Sequence, residues 1–119
     1  MSIRANFDSG EFEVRKNDTY STFSTILTEG SEDDNASAID ISNVTTKVIL
    51  NVLRPDGVIM EIPANKGTKV GEVYHKWQSG ELDIVGKYTI EPRIIFDGGE
   101  RYTSLERIKF KVIETITGV

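Results

Sequence analysis

Hydrophobic and polar residues alternate strictly in two stretches near the C-terminal end of the chain. In the first stretch, the even-numbered positions from Tyr88 to Phe96 are apolar or proline. In the second, the even-numbered positions from Ile108 to Val112 are apolar and the odd-numbered ones are basic. Alternation at a period of two is typical of half-buried strands. The Asp-Gly-Gly sequence at 97–99 tolerates positive φ, so residues 86–112 are predicted to form a hairpin, which we call the lead hairpin.

A second hairpin is predicted over residues 46–62. Val48, Leu50 and Val52 share one face of its first strand, and further apolar residues lie on the other face, as in strands covered by neighbours. The sequence at 55–57, Pro-Asp-Gly, predicts its turn, because proline presets φ and glycine accepts the left-handed conformation. Shorter strands are predicted over residues 11–14, 19–28 and 69–77, with a short helix as the alternative for the last.

Short strands with turn signals every ~8–12 residues, and no alternation of strands with helices, predict an all-β fold. We expect an immunoglobulin-like antiparallel β-sandwich, with a small barrel as the alternative. The predicted organisation is an N-terminal arm or weak edge segment (1–10), a sandwich domain (11–114) and a C-terminal tail (115–119). Residues 29–38 read as an acidic loop, and residues 39–44 lead the chain back into the core.

The chain of 119 residues has a net charge of −5 and no cysteine. An acidic chain of this kind argues against nucleic-acid binding and against docking on an anionic membrane. The absence of cysteine excludes disulfides and thiolate metal sites. The first residues lack the apolar core of a signal peptide, and no run approaches the ~20 apolar residues of a membrane span. We therefore expect synthesis in a cytoplasm and no membrane insertion.

No group of residues predicts a reaction, a cofactor or a resident metal. His75 is the single histidine, and a packed or surface role is favoured over catalysis because no partner for it can be placed. The Gly-x-Ser-x-Gly elbow is absent, and the glycine pairs lack the context of phosphate loops. The acidic residues at 32–35 could offer oxygen ligands to a cation, but their spacing favours a solvated loop. An enzyme is therefore not expected.

Two surface features suggest contacts with other molecules. Tyr74 and Trp77 could stack on a sugar or anchor a protein interface, although core packing of Trp77 is the more common role. The odd-numbered positions of the lead hairpin form a basic stripe, whose members are Lys87, Arg93, Arg107, Lys109 and Lys111. A solvated face is the ordinary interpretation. The alternative is a contact surface for an acidic neighbour, such as residues 29–35 of another copy.

The order of these motifs resembles a known family. The motifs are a Thr- and Phe-rich strand (20–28), the Ile-Asp-Ile-Ser segment at 39–42, Arg-Pro-Asp-Gly at 54–57, Gly-Lys-Tyr at 86–88 and Phe-Asp-Gly-Gly-Glu at 96–100. Together, over roughly residues 11–113, they resemble the N-terminal domain of the baseplate upper proteins of tailed phages that infect Gram-positive bacteria. The resemblance implies an immunoglobulin-like sandwich that anchors host-recognition parts to the tail, with no catalytic residues.

These observations lead to two functional hypotheses. The first is a non-enzymatic component of a phage or prophage tail or baseplate, assembled in the host bacterial cytoplasm into the virion. It would bind other tail proteins and copies of itself, with Phe7, Tyr74 and Trp77 as candidate contact residues. The alternative is a carbohydrate-binding module for host cell-surface polysaccharide. That role would require Tyr74, Trp77 and Tyr102 to form an exposed aromatic platform.

Overall fold

The computed structural model describes residues 3–6, 12–29, 37–103 and 107–115. Within these ranges the chain forms strands and connections but no helix. The strands are β1 (Ile3–Asn6), β2 (Phe12–Arg15), β3 (Thr22–Glu29), β4 (Ser37–Ala38), β5 (Lys47–Leu53), β6 (Ile59–Pro63), β7 (Asn65–Lys66), β8 (Glu72–Lys76), β9 (Gly86–Ile95), β10 (Arg101–Thr103) and β11 (Ile108–Ile113). The predicted all-β class is therefore confirmed.

The strands form two sheets that pack as a β-sandwich. The first sheet has the order β1-β3-β8-β7, with β4 beside β3, and the second has the order β2-β11-β9-β5-β6, with β10 beside β9. Every described pair is antiparallel except β2 and β11, which run parallel with Phe12 opposite Phe110. The antiparallel expectation is wrong for this pair. Its members come from the two ends of the chain, so no tight turn constrains their direction.

Each arm of the lead hairpin buries the predicted face, but the second arm consists of two separate strands. Tyr88, Ile90 and Ile94 of β9 are buried, as are the even-numbered residues of β11. The turn after β9 leads first to β10, which pairs with residues 93–95, while β11 pairs with residues 86–90. The prediction of two single arms is therefore incomplete, because β9 is long enough for two partners in succession.

The core lies between the sheets and contains the aromatic side chains at its centre. Trp77 is 1% exposed and contacts Phe23 of the first sheet and Phe110 of the second, at ring-centroid distances of 6.5 and 5.4 Å. Phe110 also stacks on Phe12 and Tyr88, each at 5.0 Å. Burial of such large apolar surfaces is the main stabilising contribution in a domain of this size.

The first sheet confirms the predicted strands around its centre. Phe23 and Leu27 of β3 are both buried, and so is Thr25 between them, which agrees with the strand predicted over residues 19–28. The segment at 69–77 contains strand β8 and not the alternative helix. Within the predicted arm, residues 3–6 form β1, an outer strand that pairs with β3 of the same chain. Ile39 and Ile41 are buried, so the chain returns to the core there as predicted, whereas Val44 of the same segment is exposed.

Candidate functional site

One end of the sandwich consists of three connections, which we call the loop end: residues 16–21, 54–58 and 77–85. Hydrogen bonds join the three into one surface. The amide of Asn17 donates to the carbonyl oxygen of Leu82 at 2.8 Å. The guanidinium Nη2 of Arg54 binds Oδ1 of Asp83 at 2.7 Å. Because Leu82 is fully buried beneath them, the connections are anchored to the core.

The 16–21 connection is fixed by the carboxylate of Asp18. This group accepts hydrogen bonds from the amides of Tyr20 and Ser21, at 2.7 and 3.1 Å, and from the hydroxyl of Ser21 at 2.5 Å. The hydroxyl bond is the main reason why the pKa of Asp18 lies below its ordinary value of 3.8. The chain then enters β3 with Tyr20 pointing into solvent, at 88% exposure.

The other two connections are fixed against each other. A Cβ atom on Gly86 would lie 2.8 Å from Cγ of Pro55, so the start of β9 packs directly on the 54–58 turn. The hydroxyl of Tyr88 donates to the carbonyl oxygen of Ile84 at 2.8 Å. Burial raises the pKa of this phenol above its ordinary value of 10.0. The loop end is therefore a preformed surface.

Large apolar side chains are exposed around this surface. Of the eight exposed large hydrophobic residues in the described part of the chain, five lie on the loop end or on the strand ends beside it: Tyr20, Leu53, Val58, Ile59 and Val85. Leu53 and Ile59 are register partners across β5 and β6, and Ile59 is 62% exposed. A cluster of exposed aliphatic residues, in contrast to a single one, indicates a contact surface.

The edge strand β6 adds main-chain groups to this surface. The amide of Arg54 donates to the carbonyl oxygen of Val58, and that of Ala64 donates to the carbonyl oxygen of Val48. In an antiparallel ladder the hydrogen-bonded positions alternate, so the amides of Ile59 and Glu61 point away from β5. Since β6 is an outer strand of the second sheet, no described strand pairs with these two amides, and they could pair with another chain.

His75 lies beneath the loop end as part of the packed interior. Its Nε2 atom is 2.8 Å from Oε1 of Glu81, an oxygen that also accepts the amide hydrogen of Gln78 at 2.7 Å. The ring meets the indole of Trp77 edge-on, with centroids 5.3 Å apart. At 8% exposure, His75 stabilises the 77–85 connection, which confirms the packed role. Among the described residues, no group of three potential metal ligands is close enough to bind an ion.

The structure separates Tyr74 and Trp77, two of the three predicted contact residues. Trp77 is in the core, so its assignment to a contact surface is wrong and the core alternative is correct. Tyr74 points outward from the first sheet at 39% exposure, with Ser24 and Asn65 as register partners. Phe7 lies outside the described residues. Because Tyr102 of the second sheet packs on the core, Tyr74, Trp77 and Tyr102 do not form an aromatic platform.

The basic stripe lies on the outer face of the second sheet, as predicted, but two of its members have acidic partners. Arg93 binds Glu61 at 3.3 Å, and Arg107 binds Glu91 at 3.1 Å. The other half of the predicted contact, the acidic loop, falls mostly on residues 30–36, which lie outside the described ranges, as does any cation site there.

The sequence contains a signal for the loop end, but that signal alone favours strands covered by neighbours. Leu53 and Ile59 are apolar at positions that alternate with the buried Val52 and the partly buried Met60. An apolar residue on the outer face of a strand can indicate either a covering layer or an exposed contact surface. Only the sheet order, which places β6 at an edge, decides between the two.

Comparison with known proteins gives a fold and no family. No protein-family model matches the chain, and no curated protein matches it either. Among the solved structures, it is similar to CopC from Methylosinus trichosporium OB3b, with a TM-score of 0.53 and 14% identity over 89% of this chain and 86% of that one. That protein is a β-sandwich, so the similarity supports the fold described above. The described ranges contain no helix that could span a bilayer.

Proposed function

We propose that this chain is a non-enzymatic structural component of a phage or prophage tail or baseplate, acting through protein–protein contacts in the virion. The observation that supports the proposal best is the loop end, where five large apolar side chains are exposed on the connections or on the strand ends beside them, and the connections are held by hydrogen bonds and by a buried anchor. A preformed apolar surface binds a protein partner at a lower entropic cost than a mobile one. The specific assignment to a tail comes from the order of sequence motifs.

The mechanism would combine two contacts at one place. Ile59 and its register partner Leu53 would be buried against a neighbouring chain, while the outward amides of β6 would pair with an extended segment of that chain. Pro63, which has no amide hydrogen, ends the available edge and limits such pairing to a short segment. Copies of this chain in a symmetric assembly, or other tail proteins, would supply the partner.

The location is tested on particles from the organism that encodes the chain. Tailed particles would be purified after induction and labelled with gold-conjugated antibodies raised against this protein. We expect label at the distal part of the tail. Recovery of the protein only in the fraction from which particles have been removed would contradict a virion role.

The contact surface is tested by light scattering over a concentration series. We expect the wild-type chain to form an oligomer of fixed mass and Ile59→Lys to reduce it to the monomer, because a charge in an apolar interface is left unpaired. Val44→Lys is the matched control, since Val44 is 92% exposed and precedes the start of β5, whereas the loop end lies at the other end of that strand. A wild-type monomer at every concentration, or equal losses in both variants, would exclude self-association through the loop end.

A further inference from the structure

The outer face of the second sheet is strongly basic although the whole chain has a net charge of −5. Among the described residues, strand alternation directs seven basic but only three acidic side chains to this face, and an eighth basic residue, Arg107, reaches it from just before β11, where it binds Glu91. The seven basic ones are Arg15, Lys47, Lys87, Arg93, Arg101, Lys109 and Lys111, and the acidic ones are Glu13, Glu61 and Glu91. Positive and negative charge are thus separated within the molecule, and this face is its positive side.

The positive excess is concentrated on β11 and its neighbours. Arg93 and Arg107 bind glutamates of the same face, which leaves the exposed Lys109 and Lys111 as the centre of the excess. Lys111 lies directly opposite Lys87 in the register of β11 and β9. Like charges in opposite positions disfavour strand pairing. An anionic partner of Lys109 and Lys111 would weaken this repulsion.

The β5–β6 half of the same face carries aliphatic side chains beside Lys47, Asn51 and Glu61. Ile49 and Leu53 of β5 point outward, and Ile59 of β6 lies beside Leu53. A row of phosphates would find no complement on these aliphatic side chains, and the three glutamates would repel it. A polypeptide that combines carboxylates with aliphatic residues would match both halves of the face.

We infer that the outer face of the second sheet binds an acidic protein segment, with Lys109 and Lys111 contacting its carboxylates and the β5–β6 half contacting its aliphatic residues. This inference rests on the proposed function for the kind of partner, a protein of the same assembly. It adds a second contact surface to the loop end and states the chemistry of its partner. The two surfaces meet at Leu53 and Ile59, so a single partner could cover both.

The test uses a fluorescein-labelled synthetic peptide of Glu, Leu and Gly, with anisotropy as the readout. The double variant K109E/K111E is compared with K69E/K76E. The control has the same change of net charge at exposed lysines outside this face, in the 67–71 turn and on β8 of the first sheet. We expect K109E/K111E to weaken binding by about tenfold and the control to leave it nearly unchanged. Wild-type affinity should fall as salt is added.

A DNA oligonucleotide and a heparin fragment of similar charge serve as competing probes. Tighter binding of either one than of the peptide would overturn the inference and indicate a general polyanion surface. Equal weakening in both double variants would also overturn it, because net charge would then explain the effect. Because K109E/K111E leaves Leu53 and Ile59 unchanged, a negative result here would not decide the light-scattering test of the loop end, which uses Ile59→Lys. Fluorescence of Trp77 checks that each variant is folded.

Discussion

At the scale of single residues, Gly71 occupies a position with almost no tolerance for a side chain. Its φ is +76°, a conformation that residues with a Cβ atom rarely adopt. A Cβ atom would also lie 2.7 Å from the carbonyl oxygen of Leu27, a backbone atom in the middle of β3. The amide of Leu27 in turn donates to the carbonyl oxygen of Gly71 at 2.9 Å. Gly71 therefore allows the start of β8 to approach β3 closely.

Gly71→Ala is expected to lower the free energy of unfolding by about 2–4 kcal/mol. This loss is the sum of the cost of a left-handed conformation and the cost of overpacking against the backbone. Gly98→Ala is the matched control. Gly98 has a φ of +96°, but a Cβ atom there would meet nothing within 4 Å. Gly98→Ala should therefore lower the free energy of unfolding only by the cost of the left-handed conformation, about 1–2 kcal/mol. Urea unfolding followed by fluorescence gives both free energies. Equal losses would show that β3 yields to the added methyl group.

Trp77 illustrates what alternation along a strand can and cannot predict. Val73, His75 and Trp77 share one face, and Glu72, Tyr74 and Lys76 share the other. The alternation itself was visible in the sequence. Which face points inward was not, because histidine, tyrosine and tryptophan occur both in cores and on surfaces. The burial of Trp77 depends on Phe23 and Phe110, which come from distant parts of the chain.

At the scale of elements, local turn chemistry was a reliable guide and long-range pairing was not. The Pro-Asp-Gly turn at 55–57 joins β5 and β6 as predicted, because the residues that define the turn are consecutive. The parallel pairing of β2 with β11 depends on two strands about a hundred residues apart in the chain, and no local pattern encodes it. The loop end was not predicted for the same reason. Its three connections meet only in the folded sheet order.

The connection at 16–21 should respond to acid through Asp18. Hydrogen bonds keep the pKa of this carboxyl below 3.8 in the folded protein, so the ionised form stabilises the fold. That contribution is present above the unfolded pKa and is lost as the pH falls through the folded pKa. Asp18→Asn retains an acceptor oxygen but does not titrate.

We therefore expect the wild type to be more stable than Asp18→Asn at neutral pH, with the difference narrowing below about pH 4. The measurement is urea unfolding at a series of pH values. Ser21→Ala removes the hydroxyl that lowers the pKa of Asp18 most. At neutral pH, the difference in unfolding free energy between this variant and Asp18→Asn should therefore be smaller than the difference between wild type and Asp18→Asn. A difference in unfolding free energy between wild type and Asp18→Asn that stays constant from neutral pH to pH 2 would contradict this account.

At the scale of the whole molecule, the two ends of the chain close one sheet and a single aromatic cluster joins both sheets. β2 near the N-terminus pairs with β11 near the C-terminus, so the second sheet is complete only when most of the chain is in place. Trp77 contacts both Phe23 and Phe110, one from each sheet. Neither sheet can therefore bury its inner face without the other, and the described residues contain one core.

This arrangement predicts cooperative unfolding with coincident transitions. Trp77 is the single tryptophan, so its fluorescence reports the junction between the sheets, while far-UV circular dichroism reports the strands throughout. We expect both signals to give the same midpoint and the same slope in urea, as small single domains usually do. Refolding should be slow, on the order of milliseconds to seconds, since distant strands must meet before they are stabilised. If fluorescence changed at lower urea than the circular dichroism, the sheets would separate before they unfold, and the core would not be the single unit that the contacts of Trp77 indicate.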